Sequence, residues 1–203
     1  MNAAIQTHAR DLLADLATVD DAAFLELLFA YFREHGASNY DESVTQLEHG
    51  LQCAALAAAE DGRPHMVVAA LLHDVGHLFV GEHNGETHFL EADHDHETVA
   101  AAVLDHLFPA EVLDPIRLHV PAKRYLCTVD PSYRDGLSRA SKRSLELQGG
   151  TLSDEERAEM EREPGLEDAL QLRRWDDRAK VSDLDVPGLE AYADVVSAVR
   201  LRN

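Results

Sequence analysis

Histidine and aspartate residues recur along this chain at nearly even spacing. The single histidines and a His-Asp pair follow one another at intervals of 22 to 24 residues. Such an interval corresponds to about one helix plus a short connection. If these segments are antiparallel helices packed side by side, each brings its polar side chain to a similar depth in the core. Asp176 lies farther along the chain and is expected to join them, so the set comprises, in chain order, His49, His73, Asp74, His96, His119 and Asp176.

Four imidazoles and two carboxylates are enough to hold two metal ions. These nitrogen and oxygen donors suit Fe, Mn, Zn or Co, and a set without thiolates argues against a closed structural zinc site. Successive helical side chains diverge by about 100°. Asp74 can therefore point between two metals while His73 serves one of them. Cys53 and Cys127 lack the spacing of metal ligands, and we expect both to be buried thiols.

Composition limits the classes of partner. The chain has 203 residues, 45% of them apolar, and carries 18 Lys and Arg against 38 Asp and Glu, a net charge of −20. This balance disfavours nucleic acid or an anionic membrane as the main partner, but not a small anionic substrate. No signal peptide and no apolar run of about 20 residues is recognisable. We expect a cytoplasmic protein that acts on a small molecule.

Helical periodicity dominates the chain and predicts an all-α fold. We expect a single helical bundle over 1–203, in which residues 1–38 form N-terminal helices and about 40–190 form the metal-binding core. Gly, Glu, Asp and His make 79–95 a loop. Helices are predicted over 2–17, from an Asp20 cap to Gly36, from a Ser43 cap to Gly62, from Pro64 to near Gly76, over 96–108, over 110–120 with a kinked continuation left open at Pro121, from a Ser132 cap to Gly149, over 154–163 behind a Ser153/Glu156 capping box, and over 166–179 and 188–201.

The order H…HD…D resembles the signature of HD-domain metalloproteins, most of which are phosphohydrolases. His96 and His119 match the binuclear subset, which contains phosphodiesterases and mixed-valent di-iron oxygenases. A sharper resemblance lies outside these residues: the segments 46–54, 73–77, 119–126, 147–150 and 173–176 are similar to the di-iron oxygenases that degrade organophosphonates. The resemblance covers roughly residues 40–190.

That resemblance implies an HD-domain fold, two Fe ions in a mixed-valent Fe(II)/Fe(III) pair, and O2 as co-substrate. The implied reaction splits the C–P bond of 2-amino-1-hydroxyethylphosphonate into glycine and phosphate, or that of the N-trimethylated analogue into glycine betaine and phosphate. The positions that hold the phosphonate in the family match His77, Lys123, Ser141 and Arg173. The cationic residues among them are chemically suited to this role, since a phosphonate requires convergent cationic donors.

Two residues upstream of His49 carry a further expectation. The resemblance implies a tyrosine that occupies one iron until substrate displaces it and a glutamate that meets the substrate ammonium. Glu42 lies seven residues before His49, as in the family, whereas Tyr40 lies nine before it instead of ten. The alternative is that both belong to an ordinary loop in front of a helix.

Two other functions stand as alternatives. A binuclear HD phosphohydrolase acting on a small phosphate ester needs the same six ligands, with a bridging hydroxide attacking phosphorus. It gives no reason for the shared segments around Lys123 and Trp175. A non-catalytic HD sensor would be expected to lack ligands or to carry a second domain.

Overall fold

A computed structural model describes residues 5–38, 44–81 and 95–202. These residues form α-helices and contain no strand, so the all-α prediction is confirmed. A short 3-10 helix, Leu189–Tyr192, precedes the last α-helix. The α-helices are α1 (Thr7–Leu16), α2 (Asp21–His35), α3 (Gln46–Glu60), α4 (Pro64–Leu72), α5 (Val75–Val80), α6 (His96–Leu104), α7 (Ala110–Val129), α8 (Pro131–Gly136), α9 (Arg139–Leu147), α10 (Asp154–Met160), α11 (Leu166–Arg178) and α12 (Ala193–Val199).

Helix α4 lies at the centre of the bundle. Every residue from Met66 to Leu72 is buried, which agrees with its sequence, because a helix that is apolar on all sides must be enclosed. Helices α3, α7, α11 and α12 pack around it, and α6 packs on α7. The polar residues that follow Leu72 are therefore delivered directly into the core.

Several helix ends lie where the sequence placed them. The Asp20 side chain accepts a hydrogen bond from the Ala23 amide at the start of α2. Ser153 and Glu156 form a reciprocal capping box at the start of α10. Both patterns are local, because the capping side chain and the amide it binds are three residues apart.

Other predicted ends are wrong. Helix α1 begins at Thr7 and not at residue 2. The cap of α3 is Thr45, which forms a capping box with Glu48; Ser43, the predicted cap, lies outside the described residues. The helix that begins at Pro64 ends at Leu72 and not near Gly76, because the helical conformation is interrupted at His73 and Asp74 before α5 begins.

Past Pro121 the helix takes the continuation that the sequence left open, whereas the helices that follow it differ from prediction. Helix α7 continues for 20 residues through Pro115 and Pro121, since its packing on α4, α6 and α11 outweighs the hydrogen bonds that the prolines remove. The predicted helix behind Ser132 is two helices, capped by Asp130 and Ser138. The C-terminal segment is helical only over 189–199.

Among the described helices, none combines the length and the apolar character needed to cross a lipid bilayer. Tyr40 and Glu42, and residues 82–94 of the predicted loop, lie outside the described residues. The assignment of the chain to one domain stays a prediction.

Candidate metal centre and anion pocket

The six predicted ligands meet at the centre of the bundle. His49 comes from α3, His119 from α7 and Asp176 from α11, while His96 is the first residue of α6. His73 and Asp74 lie at the break between α4 and α5. All six are buried, and Asp74, the most exposed, has 7% of its surface accessible. The structure thus brings together residues up to 127 positions apart in the chain, from His49 to Asp176.

The two carboxylate oxygens of Asp74 face two different pairs of imidazoles. Oδ2 lies 3.4 Å from His49 Nε2 and 3.3 Å from His73 Nε2. Oδ1 lies 3.4 Å from the Nε2 atoms of both His96 and His119. This is the arrangement expected of a carboxylate that bridges two metal ions, one ion on each oxygen.

Hydrogen bonds to the backbone orient three of the rings. The Nδ1 atoms of His49, His73 and His119 donate to the carbonyls of Ala179, Ala70 and Ile116, at 2.7, 2.9 and 2.7 Å. A neutral ring that donates from Nδ1 keeps a lone pair on Nε2. The Nε2 atoms of His49 and His73 are 3.2 Å apart, so when both rings are neutral two lone pairs face each other, an arrangement that a bound cation would stabilise. Without the cation, a proton on His49 takes its place.

The donor separations fit metal coordination. Two ligand atoms at about 2.0–2.2 Å from one ion, seen at tetrahedral or octahedral angles, are about 2.8–3.6 Å apart. The Nε2–Nε2 distances of 3.2 Å (His49–His73) and 3.3 Å (His96–His119) lie in this range. Within the described part of the chain, Asp74 Oδ2 has no hydrogen-bond donor although it is buried. The donor set therefore fits two metal positions, with Asp176 Oδ1, 3.3 Å from His49 Nε2, at the first.

The electrostatics of the cluster keep its carboxylates ionised. Burial opposes this, but His73 and close contacts with the other imidazoles hold the pKa of Asp74 well below its usual range. Burial likewise opposes charge on His49, yet its contacts with Asp176 and Asp74 raise the pKa of this imidazole to about 9. Burial and the adjacent His77 lower the pKa of His96 to about 3. An anionic Asp74 beside a neutral His96 is the protonation state that metal binding requires.

Gly76 permits the approach that places His96. A Cβ atom at this position would lie 2.0 Å from the His96 carbonyl oxygen. Helices α5 and α6 can therefore meet at this distance only if residue 76 has no side chain. The close approach also stacks the rings of His77 and His96, whose centroids are 3.7 Å apart.

The four residues predicted to hold the phosphonate are buried, and two of them, His77 and Arg173, lie within 4.0 Å of a predicted metal ligand. His77 Nε2 lies 4.0 Å from Asp74 Oδ1. Arg173 Nη1 contacts Asp176 Oδ2 at 2.6 Å. Lys123 Nζ donates to Ser144 Oγ at 2.8 Å and not to Ser141. Ser144 donates in turn to the Ser141 carbonyl at 3.1 Å, so Lys123 and Ser141 are joined through one serine.

Arg173 is held by a second acidic residue that the sequence argument did not include. Its guanidinium contacts the Asp177 carboxylate, and its Nε also lies 3.2 Å from the Tyr133 hydroxyl. Tyr133 itself bonds to Asp177. These contacts tie the end of α11 to α8 and keep the guanidinium in one orientation beside Asp176.

Lys180 and Cys53 are two further residues of the site that the sequence argument missed. Lys180 Nζ lies 3.3 Å from Asp176 Oδ1, and its position four residues after a predicted ligand was the available signal. Cys53 follows His49 by one helical turn, and its sulfur lies within 4.8 Å of ligand atoms of His49 and His73. Burial raises the pKa of this thiol well above its usual range.

Comparison with known proteins agrees with this geometry. A sequence profile described as HD domain matches residues 47–170, a range that contains five of the six predicted ligands. The chain is 50% identical to hydroxymethylphosphonate dioxygenase of Gimesia maris, over 95% of this chain and 94% of the relative. It is 38% identical to [1-hydroxy-2-(trimethylamino)ethyl]phosphonate dioxygenase (glycine-betaine-forming) of Leisingera caerulea, over 90% and 93%. An uncharacterized protein of Acanthamoeba polyphaga mimivirus is 36% identical, over 81% and 76%.

The family resemblance is thereby confirmed along almost the whole chain. The helical bundle and the position of Asp74 between two pairs of imidazoles are compatible with it. The chain belongs to the HD-domain family and groups within it with relatives that are named as phosphonate dioxygenases.

Proposed function

We propose that this chain is a di-iron oxygenase that uses O2 to cleave the C–P bond of a small 1-hydroxyalkylphosphonate. The observation that carries the proposal is the pairing of two features in one buried site. Asp74 presents each of its oxygens to a different pair of imidazoles, and a cluster of cationic side chains lies beside Asp176. The first feature suits two metal ions and the second suits an anionic headgroup.

In this proposal two Fe ions are held by His49, His73, Asp74, His96, His119 and Asp176. Asp74 would bridge the two ions, because its Oδ1 and Oδ2 face different pairs of imidazole rings. When bound as a mixed-valent Fe(II)/Fe(III) pair, the irons supply the activation of O2. The choice of iron over zinc or manganese rests on the similarity to the named dioxygenases.

The protein's own residues bind and orient the substrate. Lys123, Arg173 and Ser141 supply donors to the phosphonate oxygens, and His77 lies on the α5 side of the cluster. Charge-assisted hydrogen bonds of this kind are the strong ones, and they gain further where water is excluded. The apolar helix α4 leads into the cluster, and its last residues, Leu71 and Leu72, are almost fully enclosed and exclude water there.

The possible substrates of this chain are limited by the chemical feature that the candidate compounds share. The family resemblance points to 2-amino-1-hydroxyethylphosphonate or its N-trimethylated analogue, whereas the relative at 50% identity is named for hydroxymethylphosphonate, which has no nitrogen. All three carry a hydroxyl on the carbon bonded to phosphorus. With one O2 consumed, the products would be phosphate with glycine, glycine betaine or formate, respectively, and each equation balances.

The test is to measure O2 consumption and phosphate release together on iron-reconstituted protein. We expect one phosphate per O2 with one of the three substrates and no phosphate under strict anaerobiosis. A phosphohydrolase with the same ligands would release phosphate from a phosphate ester at an undiminished anaerobic rate, and that outcome would refute the proposal.

A matched pair of variants assigns the activity to this site. Arg173→Gln removes a buried cation beside Asp176, and Arg143→Gln removes an exposed one that pairs with Glu146 on α9. We expect a large loss of kcat/KM only for Arg173→Gln. Equal effects of the two substitutions would place substrate binding elsewhere.

A further inference from the structure

Lys180 lies between the cluster of predicted metal ligands and the anion pocket, the group of residues predicted to hold the phosphonate. Its Nζ is 3.3 Å from Asp176 Oδ1 and 3.4 Å from Ser141 Oγ. The side chain is 13% exposed. One amine therefore contacts both a predicted metal ligand and a predicted substrate-binding hydroxyl.

The backbone on either side of Lys180 is anchored to α3. The Ala179 carbonyl accepts the Nδ1 hydrogen of His49 at 2.7 Å. The amide of Val181 donates to Gln52 Oε1 at 3.0 Å, and its carbonyl accepts from Gln52 Nε2 at 2.8 Å. His49 and Gln52 are one turn apart on the same helix. These three hydrogen bonds fix the position from which the Lys180 side chain extends, so little ordering is needed when it binds a ligand.

Within the described part of the chain, three cationic side chains and two carboxylates lie close together around Lys180. Arg173 already contacts the carboxylates of both Asp176 and Asp177. Lys180 is a second cation on Asp176, and Lys123 is a third cation nearby. Burial and then repulsion from Arg173 lower the pKa of Lys123 to about 7, although Asp176 and Asp177 attract its charge. A bound anion would relieve this repulsion.

A cavity leads to this position from the surface. It has a volume of about 310 Å³ and lies between α8, α9 and the end of α11, with Tyr133, Leu137, Ser141 and Lys180 in its wall. Ser141 and Lys180 thus border both the cavity and the anion pocket. A small phosphonate is well below this volume, and the cavity wall holds Lys180 together with the Asp177 carboxylate that Arg173 already contacts.

We propose that Lys180, together with Ser141, binds an oxygen of the substrate's phosphonate group at the inner end of this cavity. Lys180 is then a further substrate-binding residue, and the product phosphate contacts it in the same way. This inference rests on the proposed function, because it takes the anion of the pocket to be a phosphonate or the phosphate released from it.

The experiment measures the binding of inorganic phosphate to metal-loaded protein by calorimetry, alongside metal content and the thermal midpoint. Lys180→Met is the test variant. Lys142→Met is the matched control, since it also removes one positive charge near the cavity, from a side chain that donates to the Asp135 carbonyl. We expect Lys180→Met to keep two metals and to bind phosphate about 10- to 100-fold more weakly. Lys142→Met should stay within about twofold of the wild-type affinity.

The competing explanation is that Lys180 only neutralises Asp176. It predicts that Lys180→Met loses metal, while the chains that remain loaded bind phosphate with wild-type affinity, and that result would overturn the inference. An absence of saturable phosphate binding by the wild-type protein would overturn it as well. If Lys180→Met does not fold, Lys180→Gln decides by the same measurement, because it also removes the charge: an intact metal content with weakened phosphate affinity supports the inference, and unaltered affinity refutes it.

Failure of the proposed function has a different signature. If phosphate binding depends on Lys180 but no phosphonate is turned over with O2, then the anion site stands and the oxygenase assignment fails. If a phosphonate is turned over and its KM is unchanged in Lys180→Met, then only the role of Lys180 fails.

Discussion

Gly76→Ala tests whether the approach of α5 to α6 creates the second metal position. The new Cβ would lie 2.0 Å from the His96 carbonyl oxygen and 2.7 Å from its carbonyl carbon. Contacts below 3.0 Å are essentially never seen, so the two backbones must separate by about 1 Å. Gly76 lies inside a helix, where alanine is conformationally favourable, so the substitution tests this contact alone.

The consequence for the metal centre follows from the same displacement. His96 Nε2 now lies 3.4 Å from Asp74 Oδ1 and 3.3 Å from His119 Nε2. A shift of about 1 Å is several times the tolerance of about 0.2 Å for metal–ligand distances. We expect the variant to hold one metal ion in place of two. Overpacking should also cost about 1–3 kcal/mol of unfolding free energy, or a thermal midpoint lower by roughly 2–12 °C.

Metal analysis after reconstitution and a thermal melt are sufficient assays. Gly136→Ala is the matched control, because a Cβ there meets no atom within 4 Å; it should keep two metals and gain up to about 1 kcal/mol of stability. A Gly76→Ala protein that binds two metals with wild-type affinity would refute the reasoning.

Three further predictions concern single side chains of the site. Asp74→Ala should abolish binding of the metal pair while the far-ultraviolet circular dichroism stays helical, and two metals per chain in that variant would contradict the bridging role. Lys123→Met should raise the substrate KM by about 10- to 100-fold yet stabilise the fold by about 1–4 kcal/mol. Burial, with repulsion from Arg173, lowers the pKa of Lys123 to about 7 in the folded protein, so between pH 7 and 10.5 the unfolded wild-type chain binds more protons than the folded one and the wild type gains stability as pH rises. The stability gain of Lys123→Met over the wild type should therefore be full below pH 7 and shrink as pH rises, as denaturant titrations at several pH values would reveal. Trp175→Phe deletes the donor to Glu60 Oε2, 2.9 Å away, and should lower the unfolding free energy by about 1–3 kcal/mol with metal content unchanged; loss of metal would mean that Trp175 also positions its neighbour Asp176.

The features predictable from sequence are those that depend on neighbours within one helical turn. The Asp20 cap and the Ser153/Glu156 box formed as expected, since each joins residues three apart. The apolar run before His73 also predicted a buried helix, because its burial follows from composition alone. The metal-ligand set could be named from spacing, although its role as a ligand set stays a prediction.

The tertiary structure decided what depends on contacts between distant segments. Pro121 did not interrupt α7, because packing on neighbouring helices outweighs one missing hydrogen bond. Lys180 joined the site because α3 holds the residues on either side of it, through His49 and Gln52. The division of the imidazoles between the two oxygens of Asp74 likewise depends on the close approach at Gly76. Local patterns in the sequence specify which residues are available, whereas helix packing specifies which atoms face each other, since that depends on distances between segments far apart in the chain.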